Sequence, residues 1–120
     1  MTPPDEPESL IATSTPKKEG CAQYQDLINK YPWNKKVAMA VMKAESGCNE
    51  DAVNRKDKHA TCKGSYGLFQ IGCVHASKEG FKDVMEPEVN IKLAYEVYKS
   101  QGWGAWGAYT NGSYLRHRSK

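Results

Sequence analysis

The sequence predicts an α+β domain, mostly helical, with a small β-hairpin beside an apolar helix. Residues 35–46 and 87–101 carry apolar side chains at helical spacing. Between them, residues 65–71 are short, aromatic and bounded by glycines, which is typical of a strand or tight hairpin. A chain of 120 residues holds one such domain with a modest core.

The two ends of the chain differ in composition from its middle. Residues 1–20 are rich in Pro, Glu, Thr and Lys, which predicts a disordered linker or tail. We expect the folded domain at residues 21–115 and a basic tail at 116–120. The net charge is only +3, and basic residues alternate with acidic ones, so we expect no nucleic-acid partner. Neither a membrane-spanning run nor a secretory signal occurs in these residues, so we expect no membrane insertion. We also expect a monomer.

The helices are bounded by recognisable start and stop residues. A first helix is expected over residues 21–30, with Tyr24, Leu27 and Ile28 on one face. Asn34 is a good N-cap for the helix at 35–46.

The remaining chain alternates between irregular and ordered segments. The polar segment 47–64 has no helical period and is predicted as a long loop. Pro87 is expected to begin a largely buried helix that runs to Gln101. A glycine-spaced aromatic segment follows at residues 102–109.

Glu45, near the end of the helix at 35–46, is the residue of greatest chemical interest. At about 100° per residue, Lys36 and Lys43 fall together on a solvated side, and Glu45 falls nearly opposite, on the apolar side. Such burial is costly for a carboxylate and raises its pKa, as a general acid requires. The alternative is a half-solvated glutamate at a frayed helix end, because Gly47 follows as a helix stop.

The four cysteines lack the CxxC spacing of zinc or redox motifs. In a small domain they favour two disulfides and an oxidising compartment, hence a secreted, periplasmic or cell-envelope location. Three pairings are open, and Cys62–Cys73 with Cys21–Cys48 is favoured because the first pair brackets the predicted hairpin. The alternatives are four buried free thiols, or a mixed metal site with His59 or His75. We predict no metal and no cofactor.

Four motifs occur in a fixed order along the chain. They are Ala44-Glu45-Ser46-Gly47 followed by Ala52-Val53-Asn54, then the segment 65–71 (Ser-Tyr-Gly-Leu-Phe-Gln-Ile), then 87–91, then 102–112. Together they resemble the lysozyme-like superfamily, and especially its soluble lytic transglycosylase branch, with its Glu-Ser-Gly, Gly-Leu-Met-Gln and Ala-Tyr-Asn motifs. The last segment is also similar to the Ala-Trp-x-Ala-Trp-x-Asn segment of chicken-type lysozymes. The resemblance spans about residues 21–114. It implies a lysozyme-like fold that cleaves the β-1,4 bond between N-acetylmuramic acid and N-acetylglucosamine in peptidoglycan glycan strands.

The resemblance also implies roles for individual residues. Glu45 matches the catalytic glutamate. Substrate binding is implied for Ser46, Ser65, Tyr66, Gly67, Gln70, Trp106 and Tyr109. Trp106 matches the tryptophan that packs on the acid of chicken-type lysozyme and raises its pKa, a well-known case. Each residue also has a structural alternative: Gly67 permits a turn, Gln70 satisfies strand backbone, and Trp106 belongs to the core.

The chain departs from chicken-type lysozymes at the second carboxylate, which glycosidases usually need. Those lysozymes carry it just before the Tyr-Gly of this strand, where this chain has Ser65, and no acid occurs between Lys58 and Lys78. A lytic transglycosylase needs only the glutamate. It protonates the leaving oxygen while the substrate's 2-acetamido group stabilises the cation, and it then draws the C6 hydroxyl onto C1 to give a 1,6-anhydro end. The missing acid therefore favours a lyase.

The predicted function is accordingly a peptidoglycan lytic transglycosylase. One alternative is a lysozyme-type muramidase on the same fold, in which Asp51 or Asp57 positions a water. Another is a non-catalytic cell-wall binding module, although binding alone gives no reason to keep a buried acid at Glu45.

Overall fold

The structure is a computed structural model that describes residues 20–58 and 61–117. Apart from Gly20, the segment predicted to be disordered lies outside the described residues, as do His59 and the last three residues of the predicted basic tail. Arg116 and His117 belong to a final 3-10 helix, Ser113–His117. The boundaries at residues 20 and 115 stay predictions.

Helices surround a small antiparallel sheet, so the predicted α+β class is confirmed. The strands occur in the order β1-β2-β3. The helices and strands are α1 (Gln25–Asn29), α2 (Lys35–Ser46), β1 (Val53–Lys58), β2 (Lys63–Tyr66), β3 (Ile71–Gly72), α3 (Pro87–Gln101) and α4 (Gly107–Thr110). Other 3-10 helices lie at Gly20–Tyr24, Cys73–His75, Phe81–Asp83 and Trp103–Ala105.

Helix α2 begins and ends where its sequence predicts. The side-chain oxygen of Asn34 accepts a hydrogen bond from the Val37 N–H at 3.0 Å, which is the expected N-cap. Gly47 ends the helix in the left-handed region, at φ 65°, and its N–H donates to the Lys43 carbonyl at 2.8 Å. These caps fix the position of the last helical turn, which carries Glu45.

The long loop predicted over residues 47–64 is wrong, because β1 lies within it. β1 pairs with β2 through Val53 opposite Tyr66 and Asn54 opposite Ser65, with a register shift before Lys58. All six β1 side chains are exposed and most are charged. The strand therefore has no alternation of apolar and polar residues and is held mainly by backbone pairing with β2.

The helix predicted over residues 21–30 is shorter than expected. Its first turns form the 3-10 helix Gly20–Tyr24, and only α1 is α-helical. Tight 3-10 turns of this kind are frequent at the N-terminal ends of helices. The predicted inner face is nevertheless present, because Tyr24 and Ile28 are buried and Leu27 packs against the core.

The core lies between α2, α3 and the turn that joins β2 to β3. Its largest fully buried side chains include Phe69, Leu68, Ile28, Met42 and Ile91. Trp33, in the link before α2, contacts Phe69, Trp103 and three tyrosine rings. Aromatic packing thus joins the start of α2 to the end of α3.

Two disulfides brace this core, and the favoured pairing is confirmed. Cys21–Cys48 joins the first 3-10 helix to a residue three positions beyond Glu45, and Cys62–Cys73 closes the hairpin. The four cysteines are therefore not free thiols. Each bridge is expected to contribute about 2–4 kcal/mol to stability. Among the described residues, no helix has the length and apolarity needed to cross a membrane.

Candidate active site

A cleft of about 260 Å³ opens between the end of α2, the small sheet and the chain around α4. Of the residues singled out from the sequence, Glu45, Gln70 and Trp106 line it, and Asp57 faces it from β1. Its wall is completed by Ile71, Gly72, Val74, His75, Val97, Gln101, Ala105 and Gly107. The cleft thus combines carboxyl and amide groups with an aromatic and aliphatic wall.

Glu45 lies on the last turn of α2 and is half-buried. Its Oε2 accepts a hydrogen bond from the backbone N–H of Ala108, at 3.3 Å. Ala108 belongs to α4, so the glycine-spaced segment after α3 folds back to touch the carboxyl group. No residue type in the sequence signals this contact, because a backbone N–H donor is common to almost every residue.

The surroundings of Glu45 raise its pKa above the usual glutamate value. Burial is the largest cause, since removal of water disfavours the carboxylate. The Ala108 N–H acts in the opposite direction by stabilising the charged form. The negative charge of Asp57 raises the pKa further. Glu45 is therefore held in an environment that favours a proton but also contains a donor for the carboxylate, as a group that gives up and recovers a proton needs.

Asp57 brings a second carboxylate to the cleft. It stands near the end of β1, where it accepts a hydrogen bond from the Ser65 hydroxyl at 2.5 Å. Ser65 is fully buried on β2. β2 carries no acid, as the sequence indicates, but the neighbouring strand supplies one. Its position depended on a strand that the sequence did not predict.

The turn between β2 and β3 positions Gln70 at the cleft wall through its backbone conformation and through the hydrogen bonds of its side chain. Gln70 has a positive φ of 49°, unusual for a residue with a side chain. Its Nε2 donates to the carbonyls of Gly67 (2.9 Å) and Ala52 (3.1 Å). The side chain therefore closes its own turn and ties it to the chain before β1. This is the backbone-satisfying role, and it leaves the side chain at the cleft wall.

Asn90, which the sequence analysis did not assign to the site, anchors the same turn from α3. It is fully buried. Its Oδ1 accepts from the Phe69 N–H, and its Nδ2 donates to the carbonyls of Tyr66 and Val84, each at 2.8 Å. A Cβ on Gly67 would stand 2.3 Å from Asn90 Nδ2, and Gly67 has a φ of 74°. Gly67 therefore permits both the turn and the close approach of Asn90.

Trp106 forms a wall of the cleft and is itself 5% exposed. Its Nε1 donates to the Phe69 carbonyl at 2.9 Å, and its ring meets that of Phe69 edge-on. The indole is thus fixed by the core while one side faces the same cleft as Glu45. It adds to the apolar surroundings that burial of the carboxyl group requires.

The other residues implied by the resemblance do not line the cleft. Ser46 donates its hydroxyl to the Met42 carbonyl at 3.2 Å. Tyr66 packs edge-on against Phe81. The Tyr109 ring stacks between Trp103 and Tyr114. Among the described residues, no group of three or more His, Cys, Asp or Glu is arranged to hold a metal ion.

A comparison with protein-family models finds a match over residues 30–108 to the family described as a lysozyme-like domain. The matched region contains α2, the three strands, α3 and the Ala108 donor to Glu45. No curated protein and no solved structure matches the chain significantly.

Proposed function

The chain belongs to the lysozyme-like domain family, whose substrate is peptidoglycan, and we propose that it is a lytic transglycosylase acting on the bond between N-acetylmuramic acid and N-acetylglucosamine. The observation that carries the proposal is Glu45, a half-buried carboxyl group with a raised pKa at the wall of an open cleft. A glycan strand lying in this cleft meets one carboxyl group with a raised pKa beside a fixed aromatic wall.

The proposed reaction uses Glu45 twice. The protonated carboxyl group gives its proton to the glycosidic oxygen as that bond breaks, and the substrate's 2-acetamido group stabilises the cation at C1. The resulting carboxylate is stabilised by the Ala108 N–H. It then takes the proton of the C6 hydroxyl as that oxygen bonds to C1. The product is a 1,6-anhydro end, and Glu45 is protonated again.

Asp57 supports this route electrostatically. Its negative charge raises the pKa of Glu45, and its carboxylate lines the cleft in which the cation would develop. The hydrogen bond from Ser65 holds the carboxylate in place. Asp57 thus needs no covalent bond to the sugar to assist a transglycosylase.

The same carboxylate favours a second candidate, a muramidase that hydrolyses the bond. Glycosidases of that kind place two carboxyl groups on either side of the scissile bond, and Glu45 and Asp57 face one cleft. Asp51, the other acid considered from the sequence, does not line the cleft. A water or the Asp57 carboxylate itself would attack C1 in place of the C6 hydroxyl. Asp57 thus supports the muramidase as a candidate, because it lines the cleft although β2 carries no acid.

The two disulfides and the family both suggest an oxidising, extracytoplasmic compartment. We extend this to a protein that is secreted, periplasmic or held in the cell envelope, and that acts as a monomer on glycan strands.

Product analysis distinguishes the candidates. Purified peptidoglycan is digested with the wild-type chain, Asp57→Asn and, as a matched control, Asp51→Asn. Mass spectrometry separates anhydro ends from reducing ends by the mass of one water. The proposal expects 1,6-anhydro products from all three proteins, with activity of Asp57→Asn displaced toward acid pH. The muramidase would be established if the wild type and Asp51→Asn released only reducing ends and Asp57→Asn released none. No cleavage by the wild type would leave a binding module.

A further inference from the structure

A second groove, separate from the cleft, lies along the other side of α2. It has a volume of about 470 Å³ and runs between α1, α2 and the C-terminal 3-10 helix. Its polar lining is Gln25, Asn29, Lys35, Lys36, Lys43 and His117. The described lining residues include no acid, so the groove is a concentrated positive surface on a chain whose net charge is only +3.

The lysines of this groove are exposed. Lys35 and Lys36 occupy the first turn of α2, which contains no acidic residue. Cations are unfavourable there because the N-terminal end of a helix carries partial positive charge. A bound anion would offset that repulsion. Lys35 and Lys36 are therefore more favourable at this position when an anionic ligand is bound than when the groove is empty.

The groove and the cleft use opposite faces of α2. Lys36 and Lys43 are seven residues apart and nearly eclipsed, whereas Glu45 points about 180° away from Lys36 at helical rotation. A glycan strand lying against Glu45 therefore does not reach these lysines. The groove is available to a different molecule while the cleft is occupied.

The chemistry of the lining favours one kind of ligand. Lys36 and Lys43 are about 10 Å apart along the helix axis, so they match charges that recur along a chain. Lysine acts as a point charge and is a common ligand of phosphate, and the charged lining of this groove is lysine. The side chain of Gln25 donates to Asn29 Oδ1 at 2.8 Å. The amide N–H groups of Asn29 therefore point away from Gln25. A concave groove also admits a single strand better than a flat bilayer.

We propose that this groove binds a single strand of a linear polyanion whose charges are phosphodiesters. The ligand occupies the Lys36–Lys43 face of α2 and docks the enzyme on an anionic cell-surface polymer, while the opposite face works on the glycan. Binding of this kind needs no catalysis, so it stands or falls separately from the proposed reaction.

Titration calorimetry at several salt concentrations measures the binding of a defined poly(glycerol phosphate) chain to the 120-residue chain. Three proteins carry Glu45→Gln so that no cleavage occurs: the parent, Lys36→Gln/Lys43→Gln, and the control Lys82→Gln/Lys92→Gln. The control removes the same charge from exposed positions on other elements. The groove variant is expected to bind at least about tenfold more weakly than the parent. Its slope of log Kd against log salt concentration should be smaller by about 1–2. The Kd of the control should stay within about threefold of the parent's.

Three results would overturn the proposal. Equal weakening in the two double variants would mean that net charge alone attracts the polymer. Polyglutamate of the same charge binding as tightly as poly(glycerol phosphate) would remove the preference for phosphodiesters. Stronger binding to vesicles of anionic phospholipid, with the same loss in the groove variant, would assign the groove to a membrane surface. A melting temperature equal to that of the parent confirms that the groove variant is folded.

Discussion

Replacing Asn90 by leucine removes the hydrogen bonds that fix the turn carrying Gln70. Leucine has the same number of side-chain heavy atoms and the same branching as asparagine, but it can neither donate nor accept a hydrogen bond, and its methyl groups also pack more tightly in this site. In the wild type, Asn90 pairs with the Phe69 N–H and with the carbonyls of Tyr66 and Val84. Leucine leaves all three backbone groups without this partner in a fully buried site.

The expected loss of stability follows from the cost of each unpaired group. A buried N–H without an acceptor costs about 1–3 kcal/mol, and each carbonyl that loses a donor adds about 1 kcal/mol. The free energy of unfolding should therefore fall by about 3–5 kcal/mol, a large part of the roughly 5–15 kcal/mol typical of a domain. A domain of this size loses about 4–8 °C in melting temperature per kcal/mol, so the melting temperature should fall by at least about 10 °C.

Urea and thermal unfolding of oxidised protein, followed by circular dichroism, measure this change. Asn111→Leu is the matched control, because Asn111 is exposed and its Oδ1 accepts one hydrogen bond, from the Ser113 N–H at 2.8 Å. The control should lose about 1 kcal/mol or less. If Asn90→Leu were no less stable than Asn111→Leu, the anchoring of the turn by α3 would be refuted.

The remaining predictions concern the cleft and the disulfides. Glu45→Gln should raise the free energy of unfolding at pH 7. Because burial raises the pKa of Glu45, the folded wild type binds this proton more tightly than the unfolded chain and loses stability as pH rises from about 4.3 through the folded pKa. Urea titrations of the two proteins should converge below about pH 4, and a difference independent of pH would contradict this. Trp106→Ala should move the alkaline limb of wall cleavage toward acid pH, whereas Trp106→Phe should keep most of it; an unmoved limb in Trp106→Ala would reduce the indole to core packing. Thiol counting in denaturant should find no free thiol in exported protein, and reduction should cost about 2–4 kcal/mol per bridge. Four free thiols would contradict the oxidising compartment.

The sequence predicted those parts of the fold that have a local signal. Both bounds of α2 were predicted correctly, from apolar residues at helical spacing, the N-cap Asn34 and the glycine that ends the helix. Proline at the first position fixed the start of α3. The disulfide pairing followed from the hairpin that its cysteines bracket.

The parts that the sequence did not predict depend on contacts between distant segments. β1 is exposed at every position, so its strand character comes from pairing with β2 and leaves no periodic pattern. Asp57 reaches the cleft only through that strand. Asn90 looks like an ordinary polar residue in a helix until the turn at Gly67 is placed beside it. An asparagine at a position that should be buried in α3 was the one available signal.

Cleavage of purified peptidoglycan by wild type and Glu45→Gln, at equal concentration and at the pH of highest wild-type activity, tests the central claim most directly. Release of soluble muropeptides is followed by chromatography, and binding of the mutant to glycan strands is measured in parallel. We expect the mutant to bind the glycan but to cleave it at least about 10²–10⁴-fold more slowly, because glutamine keeps an acceptor for the Ala108 N–H but has no proton to give. A mutant that kept a third of the wild-type rate would show that Glu45 is not the acid and that the cleft was assigned wrongly.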